Sequence, residues 1–216
     1  MKKVLALVVV ALVFGSAIVI GSYSKTKISI PATQINWNKL PSEATNLVCD
    51  ASHSNVKFTV THLGIAEAEG KFKVFDGKMS YAKEDMSDAQ IEFSVDVASI
   101  NTDSDMRDGH LKSDDFFNAE KFPKMTFKSS SMQLVSGKNY KLTGNLTIRD
   151  VTKPVTFDVT YGGTMPDGYG NTKSAFIAST KINRFDYNLK WNSLTEGISV
   201  VGSDVGIKCN IELKKI

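Results

Sequence analysis

The sequence predicts an all-β protein built as one eight-stranded antiparallel barrel. Apolar and polar residues alternate from Val56 almost to the C-terminus, most regularly over residues 91–97. Period-two alternation places the apolar side chains of a strand on a single face. Turn signals containing glycine, proline and asparagine separate the alternating segments. Several one-faced strands need a shared dry interior, which a sandwich or a closed barrel supplies. Closure into a barrel also removes the open edges of a sheet, so we expect the barrel.

We predict eight main strands in a single domain over residues 47–216. The approximate ranges are 48–62, 67–80, 88–100, 123–135, 138–149, 153–162, 172–183 and 199–214. Leu63-Gly64, Ser136-Gly137 and the segment 162–168 carry residues that favour turns. A further insertion at 186–197, which contains Trp191, predicts a loop or a short helix.

A helical crossover is predicted between residues 103 and 118, where the alternation stops. Asn101, Thr102 and Asp103 are residue types that cap helix N-termini, and Asp105 suits the first turn of a helix. We expect the crossover to turn three aromatic residues towards the barrel: Phe116, Phe117 and Phe122.

The alternation also predicts which side chains line the barrel interior. The candidate ligand-contacting residues are Phe58, Val60, Phe72, Phe93, Val95, Phe127, Leu142, Gly144, Leu146, Phe157, Val159, Phe176, Ala178 and Ile207. Val74 is expected on the same inner face. The same alternation places Lys57, Glu92 and Asp158 on the outer face. Their exposure tests the register, because a slip of one residue would move every side chain of a strand to the opposite face.

Small inward residues bear on whether this barrel has a cavity. Eight strands enclose a space that side chains can fill or that can hold one small ligand. Gly70, Gly144 and Ala178 fall on the inner face, so we expect room along the barrel axis. The alternative is that the glycines only allow the strands to coil and the interior is closed.

The N-terminus predicts export. Lys2 and Lys3 precede an uncharged, mostly apolar stretch at residues 4–20, the pattern of a signal peptide or of a retained signal anchor over residues 1–22. Residues 23–46 lack periodicity and predict a linker. Both alternatives place the domain in the periplasm or cell envelope, and a retained segment would anchor it in the inner membrane.

Composition indicates a globular domain without a nucleic-acid partner. Hydrophobic residues make up 42% of the chain and charged residues 23%, which is typical of such domains. Lys2 and Lys3 account for two of the three net positive charges, so the domain is close to neutral and lacks a basic stripe. The sequence leaves open whether the domain is a monomer or a homodimer.

Two cysteines, Cys49 and Cys209, lie near the start of the first strand and the end of the last. Closure of the barrel by pairing these strands would bring them near each other, and an oxidising compartment would allow a disulfide. The alternative is two buried thiols, since Cys209 falls on the apolar face of its strand.

The sequence does not predict a catalytic or metal centre. His53, His62 and His110 do not cluster as zinc ligands do, and the motifs of nucleophilic or nucleotide-dependent catalysis are absent from the sequence. We therefore expect no cofactor, no metal and no enzymatic activity. Neighbouring charges could form ion pairs at the barrel ends: Arg107 with Asp108, and Arg184 with Asp186. A weaker expectation is that polar residues at the mouth meet a ligand head group: His110, Arg184 and Asp186.

Several stretches together resemble a known family. They are residues 50–58, 62–64, 70–72, 107–117, 122–123, 146–155 and 182–187. The most specific stretch has the sequence RDGHLKSDDFF. In order and spacing these stretches resemble the YceI-like family of bacterial exported lipid-binding proteins. Asp150 and Asn188 stand where that family usually has glycine, and both residue types tolerate a positive φ angle.

The resemblance implies an extended lipocalin-like barrel with a helix at one end. It also implies that the lumen binds a polyisoprenoid, an isoprenoid quinone or a fatty-acid-like amphiphile for storage or transport. An envelope structural or interaction module would instead have a lumen packed solid with side chains. An enzyme would need a polar cluster with perturbed ionisation inside the cavity.

Overall fold

The computed structural model describes residues 44–216, which form a closed eight-stranded antiparallel barrel with one short α-helix. The predictions for the export segment and most of the linker lie outside the described residues. Within residues 44–216, no helix is both long and apolar enough to cross a membrane.

The described chain contains thirteen strands and the helix α1 (Asp105–Lys112). The strands are β1 (Thr45–Cys49), β2 (Asn55–His62), β3 (Ala66–Phe72), β4 (Phe75–Tyr81), β5 (Gln90–Asp96), β6 (Ile100–Asn101), β7 (Lys124–Ser136), β8 (Asn139–Ile148), β9 (Val151–Pro166), β10 (Thr172–Asn183), β11 (Leu194–Thr195), β12 (Ile198–Ser199) and β13 (Val201–Lys215). β1 begins two residues inside the predicted linker.

The barrel closes between its first and last strands. The order around it is β1-β4-β5-β7-β8-β9-β10-β13, and β13 pairs back with β1. Strands β2, β3 and β6 continue β1, β4 and β5 beyond kinks, so three of the eight predicted strands are each divided in two. Strand β13 pairs with β2 along its first part and with β1 near its end. This closure removes the open edges that a flat sheet would leave.

Cross-strand pairs on the outer surface confirm the predicted register. Glu92 faces Lys128 on the neighbouring strand, with Oε1 and Nζ 2.9 Å apart. Lys141 and Asp158 form a second exposed ion pair across β8 and β9. Opposite charges at directly facing positions stabilise a sheet modestly. Lys57 is also exposed, so the polar positions point outwards as the alternation requires.

Two predictions about β3, β4 and β9 are wrong. Val74 is 56% exposed because it lies at the kink between β3 and β4 rather than on the inner face. Gly162 and Gly163 do not form a turn but lie within β9, whose pairing with β10 shifts register there. Gly163 has φ +124°, which favours glycine, so the Gly-Gly pair forms a bulge inside a longer strand.

The helix is shorter than predicted and its N-cap is a different residue. Ser104 is the N-cap, without a side-chain hydrogen bond to the helix. The helix ends at Lys112, where the Ser113 hydroxyl donates to the carbonyl of His110 at 2.7 Å. Turns rather than helix then lead to β7.

Thr102 binds the helix instead of capping it. Its backbone N–H and hydroxyl donate to Asp108 Oδ1 at 2.8 and 2.6 Å. Arg107 Nε donates to the Thr102 hydroxyl oxygen at 2.8 Å. Arg107 and Asp108 therefore both bind Thr102, and this arrangement replaces the expected ion pair between them.

Candidate ligand-binding site

The barrel interior contains two adjoining apolar cavities. The first, which we call the mouth cavity, has a volume of about 150 Å³ and is bounded at one end by Leu111, Phe116 and Phe117. The second, the distal cavity, has a volume of about 120 Å³ and extends to Met79, Met132 and Leu213. Both are surrounded mainly by aliphatic and aromatic side chains, so they suit a hydrocarbon ligand.

Thirteen of the fourteen predicted lumen residues line these cavities. The mouth cavity is lined by Phe58, Val60, Phe72, Val95, Leu146 and Ile207. The distal cavity is lined by Leu142, Val159, Phe176 and Ala178. Both are lined by Phe93, Phe127 and Phe157. Gly144 lines neither cavity, and the structure shows why.

Aromatic rings fill the space that the inward glycines were expected to leave. A Cβ atom at Gly70 would lie 2.4 Å from Phe58 Cζ, and one at Gly144 would lie 2.5 Å from Phe127 Cζ. The expectation of free volume beside these glycines is therefore wrong. Each glycine instead lets a phenylalanine ring lie flat across its strand. The sequence could not show this, because the ring and the glycine belong to different strands.

The aromatic side chains also contact one another across the lumen. The rings of Phe127 and Phe157 meet edge to face at 5.3 Å, and those of Phe72 and Phe117 do so at 6.0 Å. Such contacts contribute to stability beyond the burial of area. These ring contacts stabilise the barrel wall around the mouth cavity and where the two cavities adjoin.

One end of the barrel is closed by residues 105–122, which we call the mouth cover. Arg149 Nη1 donates to the carbonyl of Asp114 at 2.9 Å, and its Nη2 lies 3.0 Å from Asp114 Oδ1. The backbone N–H of Trp191 donates to the carbonyl of Asp115 at 3.3 Å. Phe116, which lines the mouth cavity, packs against the Trp191 ring at 5.4 Å.

Arg184 does not present a free charge to a ligand. Its side chain is buried, with 3% exposure, and burial lowers the pKa of the guanidinium. Its N–H groups donate to the carbonyls of Leu189, Trp191, Val201 and Gly202 at 2.7–3.1 Å. A buried charge needs such partners. The expectation that Arg184 meets a head group is therefore wrong. Arg184 belongs to a short 3-10 helix, Arg184–Tyr187, and its hydrogen bonds hold the following loop against the start of β13.

The other two mouth candidates differ from each other. Asp186 pairs with Lys153, with Oδ1 and Nζ 2.7 Å apart, and does not line the mouth cavity. His110 lines a third cavity of about 300 Å³, the vestibule, together with Thr102, Arg107 and Trp191. The vestibule and the mouth cavity share Phe58 and Leu111 in their walls. Of the three candidates, Arg184 lines the mouth cavity with its charge already engaged, His110 lines the adjoining vestibule, and Asp186 lines neither.

His110 is itself held in place. Its Nε2 lies 2.9 Å from Asp115 Oδ2, and its ring meets those of Phe116 and Trp191 edge to face at 5.1 and 5.3 Å. The vestibule therefore presents a fixed imidazole and an indole beside the apolar lumen.

A polar cluster that the sequence did not reveal joins strands far apart in the chain. Lys173 Nζ contacts Asp50 Oδ2 and lies 2.9 Å from Glu212 Oε1, and His53 Nδ1 lies 3.1 Å from Asp50 Oδ2. Hydrogen bonding to Lys173 is the main reason that the pKa of Asp50 is well below its usual range. Asp50, His53 and Glu212 carry metal-ligand atoms close together. Lys173 already supplies the cation to both carboxylates, so this geometry is an ion-pair network.

The cysteines are free thiols, so the structure agrees with the second of the two alternatives that the sequence left open. Cys49 faces Leu213 on β13, and Cys209 faces Val56 on β2. Cys209 and Leu213 are four residues apart along β13, about 13 Å, whereas bridged cysteines need Cα atoms within about 7 Å. Cys209 lines both cavities, and burial raises its pKa to about 12, so the thiol stays protonated.

Comparison with known proteins agrees with this architecture. A family model described as the YceI-like domain matches residues 47–213. The UPF0312 protein plu2095 of Photorhabdus laumondii is 33% identical over 168 residues, which cover 77% of this chain and 87% of the relative.

Two solved structures share the fold. BcnA of Burkholderia cenocepacia superposes with a TM-score of 0.67 at 24% identity, covering 76% of this chain and 98% of its own. A polyisoprenoid binding domain from Saccharophagus degradans gives a TM-score of 0.58 at 15% identity, covering 81% and 99%. The family match over residues 47–213, together with the relative that is 33% identical over 168 residues, shows that this chain belongs to the YceI-like family.

Proposed function

We propose that this protein binds the hydrocarbon chain of a long amphiphile inside the barrel and shields it from water. The observation that carries the proposal is the pair of adjoining apolar cavities with one covered mouth. The candidate ligands are a polyisoprenoid, an isoprenoid quinone or a fatty-acid-like molecule. The Saccharophagus degradans domain, named as polyisoprenoid binding, supports the isoprenoid chain among them.

Burial of the chain supplies the driving force. Each buried methylene contributes about 0.8 kcal/mol, reduced by the freedom that a flexible chain loses on binding. This force has no direction, so chain length and girth should decide affinity more than head-group identity. Ligand pockets usually have volumes of about 300–1,000 Å³, and each cavity here is smaller. A long chain therefore has to occupy both cavities and displace some side chains.

Binding is better supported than catalysis. Within residues 44–216, no histidine or carboxylate side chain is among those lining the mouth or distal cavity. The buried cation beside the mouth cavity, Arg184, is fully engaged by carbonyl groups. General acid–base chemistry most often uses a histidine or a carboxylate within reach of the substrate, and the described lining of this lumen offers neither.

We place this activity in the cell envelope, as storage or transport of the ligand. The support is the sequence of residues 1–22, with its two lysines and its apolar stretch.

Filling the distal cavity tests the proposal. Ala178 lines that cavity, whereas the adjacent Ser179 is exposed on the outer surface. Ala178→Trp should reduce the amount of apolar compound that copurifies with the protein, because the indole takes up the space of the chain. Mass spectrometry of organic extracts measures this amount.

Ser179→Trp is the matched control and should copurify with the same amount as the unaltered protein. Overpacking costs about 1–3 kcal/mol of stability, so thermal unfolding of Ala178→Trp establishes that the barrel is still folded. A folded Ala178→Trp variant with undiminished ligand would contradict binding in the lumen.

A further inference from the structure

Gly77 has an unusual relation to one ring of the lumen wall. It lies on β4 directly opposite Phe93 on β5. A Cβ atom at Gly77 would lie 2.4 Å from Phe93 Cδ2 and 2.9 Å from Cε2, while the nearest backbone atom would be 3.4 Å away. The ring of Phe93 therefore occupies the space beside Gly77 that a side chain would need, and this ring is the main obstacle to a side chain at position 77.

The other two glycines of this kind have additional neighbours. A Cβ at Gly144 would also meet the carbonyl oxygen of Lys128 at 2.4 Å, and one at Gly70 would meet Thr102 Cγ2 at 2.8 Å. A side chain at Gly144 or Gly70 would therefore clash with a backbone carbonyl or with a threonine methyl as well as with a phenylalanine ring. Of these three glycines, Gly77 is therefore the one at which a substitution would displace a phenylalanine ring with the least effect on other neighbouring atoms.

Phe93 lies where the two cavities adjoin. It lines both the mouth and the distal cavity, and Gly77 lines the distal one. The Phe75 ring stacks against the Phe93 ring, with centroids 5.9 Å apart and planes 21° from parallel. A side chain at position 77 would push the Phe93 ring away from β4. Since Phe75 occupies one flank, the free volume that can receive the ring is the lumen itself.

We infer that the Gly77–Phe93 pair sets the length of isoprenoid chain that the lumen accepts, by holding the ring against the wall where the two cavities adjoin. This inference rests on the proposed function. A short chain needs only the mouth cavity, which lies between the mouth cover and Phe93. A longer chain has to pass Phe93 to reach the distal cavity.

Two isoprenoid alcohols of different length test this inference. Dissociation constants of geraniol and of its longer homologue geranylgeraniol are measured on the full chain by competition with a fluorescent fatty acid. Gly77→Ala should weaken geranylgeraniol binding about tenfold or more, because part of the chain loses its apolar contacts. Its affinity for geraniol should change less than about twofold.

Gly206→Ala is the matched control. Gly206 also lies within a strand, β13, but a Cβ there would meet the hydroxyl of Thr59 rather than a ring. This variant should bind both alcohols as the unaltered protein does.

Two further variants separate displacement of the ring from general damage to the barrel. The double variant Gly77→Ala/Phe93→Ala should recover geranylgeraniol binding, because no ring remains to be displaced. Phe93→Trp enlarges the ring while leaving Gly77 in place, and it should reproduce the selective loss even if Gly77→Ala fails to fold.

The inference is overturned if folded Gly77→Ala and Phe93→Trp bind geranylgeraniol with unchanged affinity. An equal loss of both alcohols that the double variant does not recover also overturns it. If the unaltered protein binds neither alcohol nor the fluorescent fatty acid, the proposed function itself fails. If the unaltered protein binds both alcohols but the variants show no selective loss of the longer one, only the inference about chain length fails.

Discussion

Arg184 illustrates what a single residue can and cannot reveal in the sequence. Its proximity to Asp186 in the chain suggested an ion pair or a contact with a ligand head group. The guanidinium instead binds four backbone carbonyls, two of them from β13. Backbone acceptors carry no sequence signature, so this role is visible only in the fold. Leaving those carbonyls buried without partners would be costly.

Asp150 and Asn188, the two departures from the family pattern, contact each other. Asn188 Nδ2 donates to Asp150 Oδ1 at 3.1 Å. Asn188 has φ +60°, as its glycine-like position predicts, whereas near Asp150 it is Arg149 that has the positive angle, φ +53°. Two loops that are distant in sequence are thus joined by the residues that replace glycine.

The Asp50–Lys173 contact predicts a pH-dependent effect on stability. In the folded protein the pKa of Asp50 is lowered from its usual 3.8, mainly by Lys173. A lowered pKa contributes stability above the unfolded-state pKa, and that contribution is lost as the pH falls. Asp50→Asn should therefore lower the melting temperature at pH 7. The difference from the unaltered protein should persist down to about pH 4 and narrow below it.

Thermal unfolding followed by circular dichroism between pH 7 and pH 3 measures this effect. Asp158→Asn is the control, because its pair with Lys141 is exposed and exposed pairs contribute little to stability. A deficit in Asp50→Asn that stays constant below pH 4 would show that the carboxylate does not act through its charge.

At the scale of elements, strands were easier to predict than their ends. Each predicted strand exists, because alternation is a property of the strand itself and one face is buried against the lumen. The sequence of the Gly162-Gly163 pair predicts a turn, yet the pair forms a bulge because β10 continues to pair alongside it. The helix ends early because the Ser113 hydroxyl binds the His110 carbonyl. Where a strand or helix ends thus depends on hydrogen-bonding partners elsewhere in the fold, which the periodicity of the sequence does not reveal.

Arg149 is expected to hold the mouth cover in place. Its side chain is largely buried and donates to the carbonyls of Asp114 and Phe116. Arg149→Met keeps the apolar stem but removes the donors. Loss of charged hydrogen bonds costs about 1.5–3 kcal/mol, so amide exchange over residues 113–118 should accelerate roughly tenfold or more.

Hydrogen exchange with mass spectrometry compares this variant with Lys153→Met, which breaks an exposed pair with Asp186. Lys153→Met should leave exchange in the mouth cover unchanged. Equal protection of residues 113–118 in Arg149→Met and in the unaltered protein would show that other contacts hold the cover.

At the scale of the whole molecule, the lining of the lumen follows from the alternating pattern, whereas the choice of a closed barrel over a sandwich also needed the family resemblance. Thirteen of the fourteen predicted side chains line the cavities. What the sequence could not supply is the division of the lumen into two cavities. That division depends on how rings from one strand lie over glycines of the next, as at Gly77 and Phe93. The volume available to a ligand therefore depends on how the side chains of neighbouring strands pack against each other, which the pattern within a single strand does not show.

The most direct test of the central claim locates a bound chain by nuclear magnetic resonance. The protein is labelled with ¹³C in its Leu, Ile and Val methyl groups and mixed with geranylgeraniol. A chain held in the lumen should give intermolecular nuclear Overhauser effects to lumen methyls such as those of Leu146, Val159 and Ile207. It should give none to the outward methyls of Val135 and Ile177, which are 60% and 47% exposed. Contacts confined to the outward methyls would contradict a lumen that holds the chain.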